Sequence, residues 1–181
     1  MSTPTQDRTR HAILLAAIRV LGSNRRASMR EIGEAAEVAR SAVHRYVADR
    51  PALEAAVGSF VEEEYARTAE EARPQDGTGL EALMRLATEL FDRLDILGWW
   101  FLMPEDEQVL DALEEDEIVG TIVERGHADR SIDPALPGAW ISDVLWSLLY
   151  SANAHTRVAV HTRGEVRSLF LHSLRKSVAA D

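Results

Sequence analysis

The 181-residue sequence predicts an all-α fold of about nine helices. Three observations carry that prediction. Apolar residues recur three and four apart through most of the chain, the spacing of a helix face. Alternating β-branched runs, the mark of half-buried strands, are nearly absent. Helix-stopping clusters, "GSN" at Gly22–Asn24, "ADRP" at Ala48–Pro51 and "RPQDGTG" at Arg73–Gly79, divide the pattern into helix-length segments.

The first helix is expected from Thr9 to Leu21, with Ile13, Ala16 or Ala17, and Val20 on one face. Ser28 then stands three residues before Glu31, the spacing of a capping box, and opens a second helix with Met29, Ile32 and Ala36 inward. After a break at "EVA", a third helix spans Arg40 to Val47, with Val43 and Val47 on its buried face. Asp49 caps a fourth helix and Pro51 suits its first turn, so that helix runs from Leu53 to Ala72. Beyond the linker, Leu80, Leu83, Ala87, Leu90, Phe91 and Leu94 lie at helical spacing, and Gly98 interrupts them. Pro104, followed by Glu105, Asp106 and Glu107, marks a further helix start. "DALEEDEIVGTIVERGHADRSI" reads as one or two helices fraying by Gly126. Two strong patterns close the chain, Ala139 to about Val160 and Gly164 to about Val178.

The charge is divided unevenly. Residues 1–50 carry nine arginines and five acids, a net +4, while the remainder carries −14, for a total of −10. A basic head on an acidic body fits a polyanion-binding module joined to a body that avoids polyanions. There are no cysteines, which excludes disulfides and thiolate metal sites and fits a cytoplasmic address. "MSTPTQDRTR" has no apolar run of a secretory signal, and no apolar window is long enough to span a bilayer. The six histidines form no His-x-x-x-His pair, and no glycine-rich phosphate loop or nucleophile elbow occurs. Neither a cofactor, a metal nor an enzymatic activity is expected.

Residues 28–50 combine two short helices, a three-residue turn and a basic, aromatic outer face. A helix-turn-helix places its second helix in the DNA major groove and braces it with the first. Arg40, Ser41, His44, Arg45 and Tyr46 are the expected outer face of that second helix. Ser28 and Arg30 start the bracing helix, and Arg50 sits where a phosphate clamp would help. Arginine pairs bidentately with guanine, while serine, histidine and tyrosine suit phosphates or single base edges.

Residues 12–57 resemble the N-terminal domain of TetR-family transcriptional regulators. The resemblance rests on Ala16-Ala17, Ile32-Gly33, Glu37-Val38-Ala39, Val43-His44-Arg45-Tyr46-Val47, Arg50 and Leu53. Five positions depart from the family pattern, two of them because His44 stands at the usual tyrosine and Tyr46 at the usual histidine. Glu37 replaces the turn glycine, Ala39 the serine cap, and Ala42 a small polar residue. The resemblance implies a helix-turn-helix DNA-binding domain over residues 1–57 and a helical effector-binding and dimerisation domain over 58–181. It implies a homodimer on a palindromic operator in double-stranded DNA, a small-molecule effector and, most often, repression. The last two helices are apolar enough to build a four-helix dimer interface. Leu53 to Ala72 is the expected lever between effector and head. Trp99, Trp100, Met103, Trp146, Tyr150 and Asn153 are the candidate effector contacts, with Asp143 beside them and core packing as the competing account. The acidic surroundings favour a neutral or cationic lipophilic ligand. The alternative function is a non-catalytic helical adaptor with a degenerate helix-turn-helix, for which Glu37, Ala39 and Ala42 speak.

Overall fold

The computed structural model describes residues 4–102, 116–158 and 161–180. Among the described residues there are nine α-helices: α1 Pro4–Ser23, α2 Met29–Ala35, α3 Arg40–Tyr46, α4 Arg50–Glu71, α5 Gly79–Asp92, α6 Leu94–Leu97, α7 Glu117–Ala128, α8 Gly138–Val158 and α9 Arg163–Val178. A 3-10 turn spans Trp100–Leu102, and the one β-bridge among these residues joins Ile132 to Ala179. The expected helix start at Pro104 lies outside the described residues. The chain divides into two compact units, Met1–Glu64 and Tyr65–Asp181.

In the first unit, α1 begins earlier than its apolar face alone predicts. Pro4 opens it, at a position where the missing N–H costs nothing. Ile13, Leu14, Ala17 and Leu21 of α1 form a core with Ile32, Val43, Val47, Leu53 and Val57. The capping box of α2 forms: the Glu31 N–H donates to Ser28 Oγ, and the Ser28 N–H donates back to Glu31 Oε2 at 2.7 Å.

The turn after α2 shows what Glu37 does. Its φ is +56°, in the left-handed region. The Glu37 N–H donates to the Glu34 carbonyl at 3.1 Å, and the Val38 N–H donates to the Gly33 carbonyl at 3.0 Å. These two bonds form a Schellman motif, which closes the last carbonyls of a helix and ordinarily has glycine at the left-handed position. A Cβ in that conformation costs roughly 1–2 kcal/mol. Glu37→Gly is therefore expected to stabilise the protein by about 1 kcal/mol. A thermal melt that falls, or does not move, would count against the strain.

In the second unit, α5 is central and packs on α7, α8 and α9. All six apolar positions predicted for one continuous face are buried, Leu80, Leu83, Ala87, Leu90 and Phe91 on α5 and Leu94 at the start of α6, where the helix breaks at Arg93 before the predicted stop at Gly98. The helix predicted to fray by Gly126 instead continues to Ala128. Tertiary packing explains the difference. Gly126 is where α7 meets the first turn of α5, and its backbone lies against Gly79 with no room for a side chain on either residue. The loop after α7 also caps α5: the Gly79 N–H donates to Asp129 Oδ2 at 2.8 Å, and the Leu80 N–H donates to Ser131 Oγ at 2.9 Å.

α5 and α9 open with capping boxes as well, at Thr78/Glu81 and Thr162/Glu165. The N-cap backbone N–H, aided by the N-cap hydroxyl, holds Glu31, Glu81 and Glu165 below the ordinary glutamate range. Their contribution is present above the unfolded-state value and is lost as acidification protonates them.

Candidate DNA interface and effector site

α3 is short and amphipathic. Val43 and Val47 are buried, with Val47 as the C-cap, while Ser41, His44 and Arg45 are exposed and Tyr46 is half-buried. Arg40 is the first residue of the helix. Its N-cap is Ala39, which offers no side-chain acceptor, so the first N–H groups of α3 lack the serine cap that is ordinarily worth about 1 kcal/mol. His44 Nδ1 lies 3.3 Å from the Ala48 carbonyl. When Nδ1 carries the proton it donates there, and Nε2 is left as an outward acceptor.

Three other candidate DNA contacts have intramolecular partners. Ser28 is occupied in the capping box. Arg30 pairs with Glu34 at 3.3 Å on the exposed face of α2, an arrangement that water and DNA can readily break. Arg50 is held more firmly. Its guanidinium donates to Glu54 at 2.6 Å and to the carbonyls of Ala27 and Arg25 at 2.8 and 2.9 Å. It thereby ties the start of α4 to the loop between α1 and α2. Bonds from one charged donor to a carboxylate and two distant carbonyls make Arg50→Ala a folding variant, expected to cost about 2 kcal/mol. Chemical denaturation measures this directly, and an unchanged midpoint would leave Arg50 free for phosphate.

In the second unit, the candidate effector residues fall in several places. Trp99 is buried, Trp146 is buried and Trp100 is half-buried. Trp100 and Trp146 meet edge to face with centroids 5.6 Å apart. Tyr150 is exposed but rests edge-on against Phe101 at 5.5 Å. Asn153 is half-buried beside Gly98. Met103 lies outside the described residues. Asp143 is exposed, as is Trp140.

The fold adds residues that helix periodicity did not single out. Tyr65 of α4 packs against both Trp100 and Trp146, at 5.6 and 5.8 Å, and Phe101 packs on Trp146 at 6.5 Å. The Tyr65 hydroxyl donates to Asp116 Oδ2 at 2.6 Å. Burial first, and then the adjacent carboxylate, raise the pKa of Tyr65 far above the ordinary tyrosine range, so it remains a neutral donor. A lone tyrosine in "EEEYAR" carries no periodic signal, and its partner lies 51 positions away. The indole N–H groups of Trp99 and Trp146 are buried without an acceptor among the described residues. Buried donors nearly always have an acceptor, which makes these two N–H groups candidates for a ligand contact. Next to this cluster, a cleft of about 520 Å³ opens between α7 and α8, with Asp116 on its wall. That volume is in the range of small-molecule sites.

No family model matches the sequence. The HTH-type transcriptional repressor LfrR of Mycolicibacterium smegmatis is 31% identical over 148 residues, covering 80% of this chain and 77% of that protein. The crystal structure of the TetR-like regulator LfrR from Mycobacterium smegmatis aligns with a TM-score of 0.70 at 27% identity, over 95% of this chain and 97% of that one. LfrR in complex with proflavine aligns equally well, at 26% identity over 96% of this chain and 99% of that one. The fatty acid degradation regulator FadR of Bacillus halodurans shares the fold, with a TM-score of 0.71 at 14% identity over the full length of both chains. Likeness to LfrR extends through both units, and the helix-turn-helix stands where the resemblance in residues 12–57 places it. The chain belongs to the TetR family of transcriptional regulators, which are not enzymes.

Proposed function

We propose that this protein is a homodimeric repressor that grips a palindromic operator through α2 and α3 and releases it when a small lipophilic effector binds residues 65–181. The observation that carries this reading is the outer face of α3. Ser41, His44 and Arg45 are exposed on a helix anchored by Val43 and Val47, which is the arrangement a major-groove reader needs. Arg40, Ser41, His44, Arg45 and Tyr46 make the groove contacts, and Ser28 and Arg30 lie at the phosphates beside α2. Arg50 acts through the loop it braces.

Dimerisation is supported by the outer side of α8 and α9. Leu169 is 57% exposed there and lines a shallow groove with Leu148, Ser151 and Ser173. A second copy covering this face would bury the leucine and fix two recognition helices at one spacing, as a two-fold operator requires. For the effector, the aromatic cluster of Tyr65, Trp100, Phe101 and Trp146 supplies stacking faces, with Trp99, Tyr150 and Asn153 around it. The acidic body favours a neutral or cationic ligand, and LfrR has been crystallised with proflavine. α4 is continuous from the first unit into the second and is the element through which ligand binding biases the head.

The test is selection of genomic DNA fragments by the purified protein, followed by affinity measurements on the best fragment at several salt concentrations. A palindromic fragment held tightly, with a steep salt slope, is the expected outcome. Weak binding with no enriched sequence would overturn the operator reading.

A further inference from the structure

The cleft between α7 and α8 has a chemistry that the fold itself does not require. Asp116, Glu117 and Glu124 bring three carboxylates to it, and among the described residues no lysine or arginine lines it. Ser142 reaches it from α8. This residue is only 4% exposed, and its hydroxyl has no hydrogen-bond partner. His127 Nε2 is likewise buried and unpartnered on the same wall. Three like charges around one cavity repel each other, and a buried unmatched hydroxyl carries a desolvation cost. A cationic hydrogen-bond donor would relieve both.

We propose that this cleft binds an aliphatic polyammonium ion, whose ammonium groups pair with Asp116, Glu117 and Glu124 and donate a hydrogen bond to Ser142 Oγ. The shape of the site selects that class. Glu117 and Glu124 are seven residues apart on α7, roughly 10 Å along the helix axis, too far for one metal ion to bridge. No cluster of metal-ligand type occurs among the described residues. Charges separated by methylene chains match the spacing. Among the described residues no Phe, Tyr or Trp lines the cleft, and the His127 imidazole is the one ring on its wall, so a large planar cation finds no broad stacking face in it. Gly120 leaves open space on the α7 side, where a side chain would intrude. Asp116 also accepts the Tyr65 hydroxyl, and Tyr65 packs on Trp100 and Trp146. Occupancy of the cleft therefore reaches the aromatic cluster and changes tryptophan emission. The binding stands on the geometry of the cleft, while any regulatory consequence rests on the effector reading above.

Isothermal titration calorimetry of the full-length protein with spermidine, at fixed ionic strength, decides the matter. Spermidine is expected to bind once per chain with a change in tryptophan fluorescence. Both Glu117→Gln combined with Glu124→Gln, and Gly120→Leu, are expected to weaken it about tenfold or more. The two variants act by different routes, one by charge and one by filling the cleft, and a thermal melt checks that each is folded. Absence of spermidine binding would overturn the proposal, and so would equal binding by folded Gly120→Leu. Complete displacement by magnesium chloride at matched ionic strength would also overturn it, because it would mark a diffuse counter-ion atmosphere on an acidic protein. No DNA enters the measurement, so a failed operator selection and a failed cleft are separate results.

Discussion

Gly79→Ala is expected to lower the stability of the second unit by about 3 kcal/mol or more, at the upper end of what overpacking costs. A Cβ at this position would run into the backbone of Gly126 and come within 2.8 Å of the Ile122 carbonyl oxygen. Backbone atoms cannot rotate away as a side chain can, so α5 and α7 would have to separate. The same movement would draw the Gly79 and Leu80 N–H groups away from Asp129 and Ser131. For a chain of this size the loss corresponds to roughly 6–12 °C in melting temperature. Circular dichroism measures it. Gly120→Ala is the control: it lies on α7, the helix that Gly79 meets, with nothing within 4 Å of its Cβ, and it should gain helix propensity instead. A Gly79→Ala protein that melts with the wild type would mean that the helices do not meet there.

The second large effect concerns DNA. Combining Arg40→Ala with Arg45→Ala should leave the melt unchanged and weaken operator binding by about a hundredfold or more. Each lost base or phosphate contact is worth roughly 1–3 kcal/mol, and each would be lost twice in the proposed dimer. Arg45 is exposed, and Arg40 is the first residue of α3. Loss of phosphate contacts should also flatten the salt dependence, by about 0.9 in slope per contact. The contrast with Arg50→Ala is diagnostic, because that variant should lose stability before it loses affinity. A double variant that binds the selected fragment as tightly as wild type would remove α3 from the role of reading helix.

These expectations differ in how early they could be formed. The sequence alone determined the helical class, the buried face of α5 from Leu80 to Phe91, the capping box of Ser28 and Glu31, and the helix-turn-helix of α2 and α3. Apart from the helical class, each is written within about twenty consecutive residues or fewer, where apolar spacing and a capping side chain act through local geometry. The departure at Glu37 was equally visible, but only the folded turn, with φ at +56°, turned it into strain. Tertiary structure alone decided the rest. Gly126 continues its helix because Gly79 packs against it, although in sequence it reads as a stop. Arg50 has two backbone carbonyls more than twenty residues away as partners, which no local pattern could announce. Tyr65 and Asp116 meet across 51 positions, and Asp143, expected beside the effector contacts, is exposed, as is Trp140. Local periodicity says which side of a helix is buried. Which residues meet across that buried surface depends on how the helices cross, and that is settled only when the whole core packs.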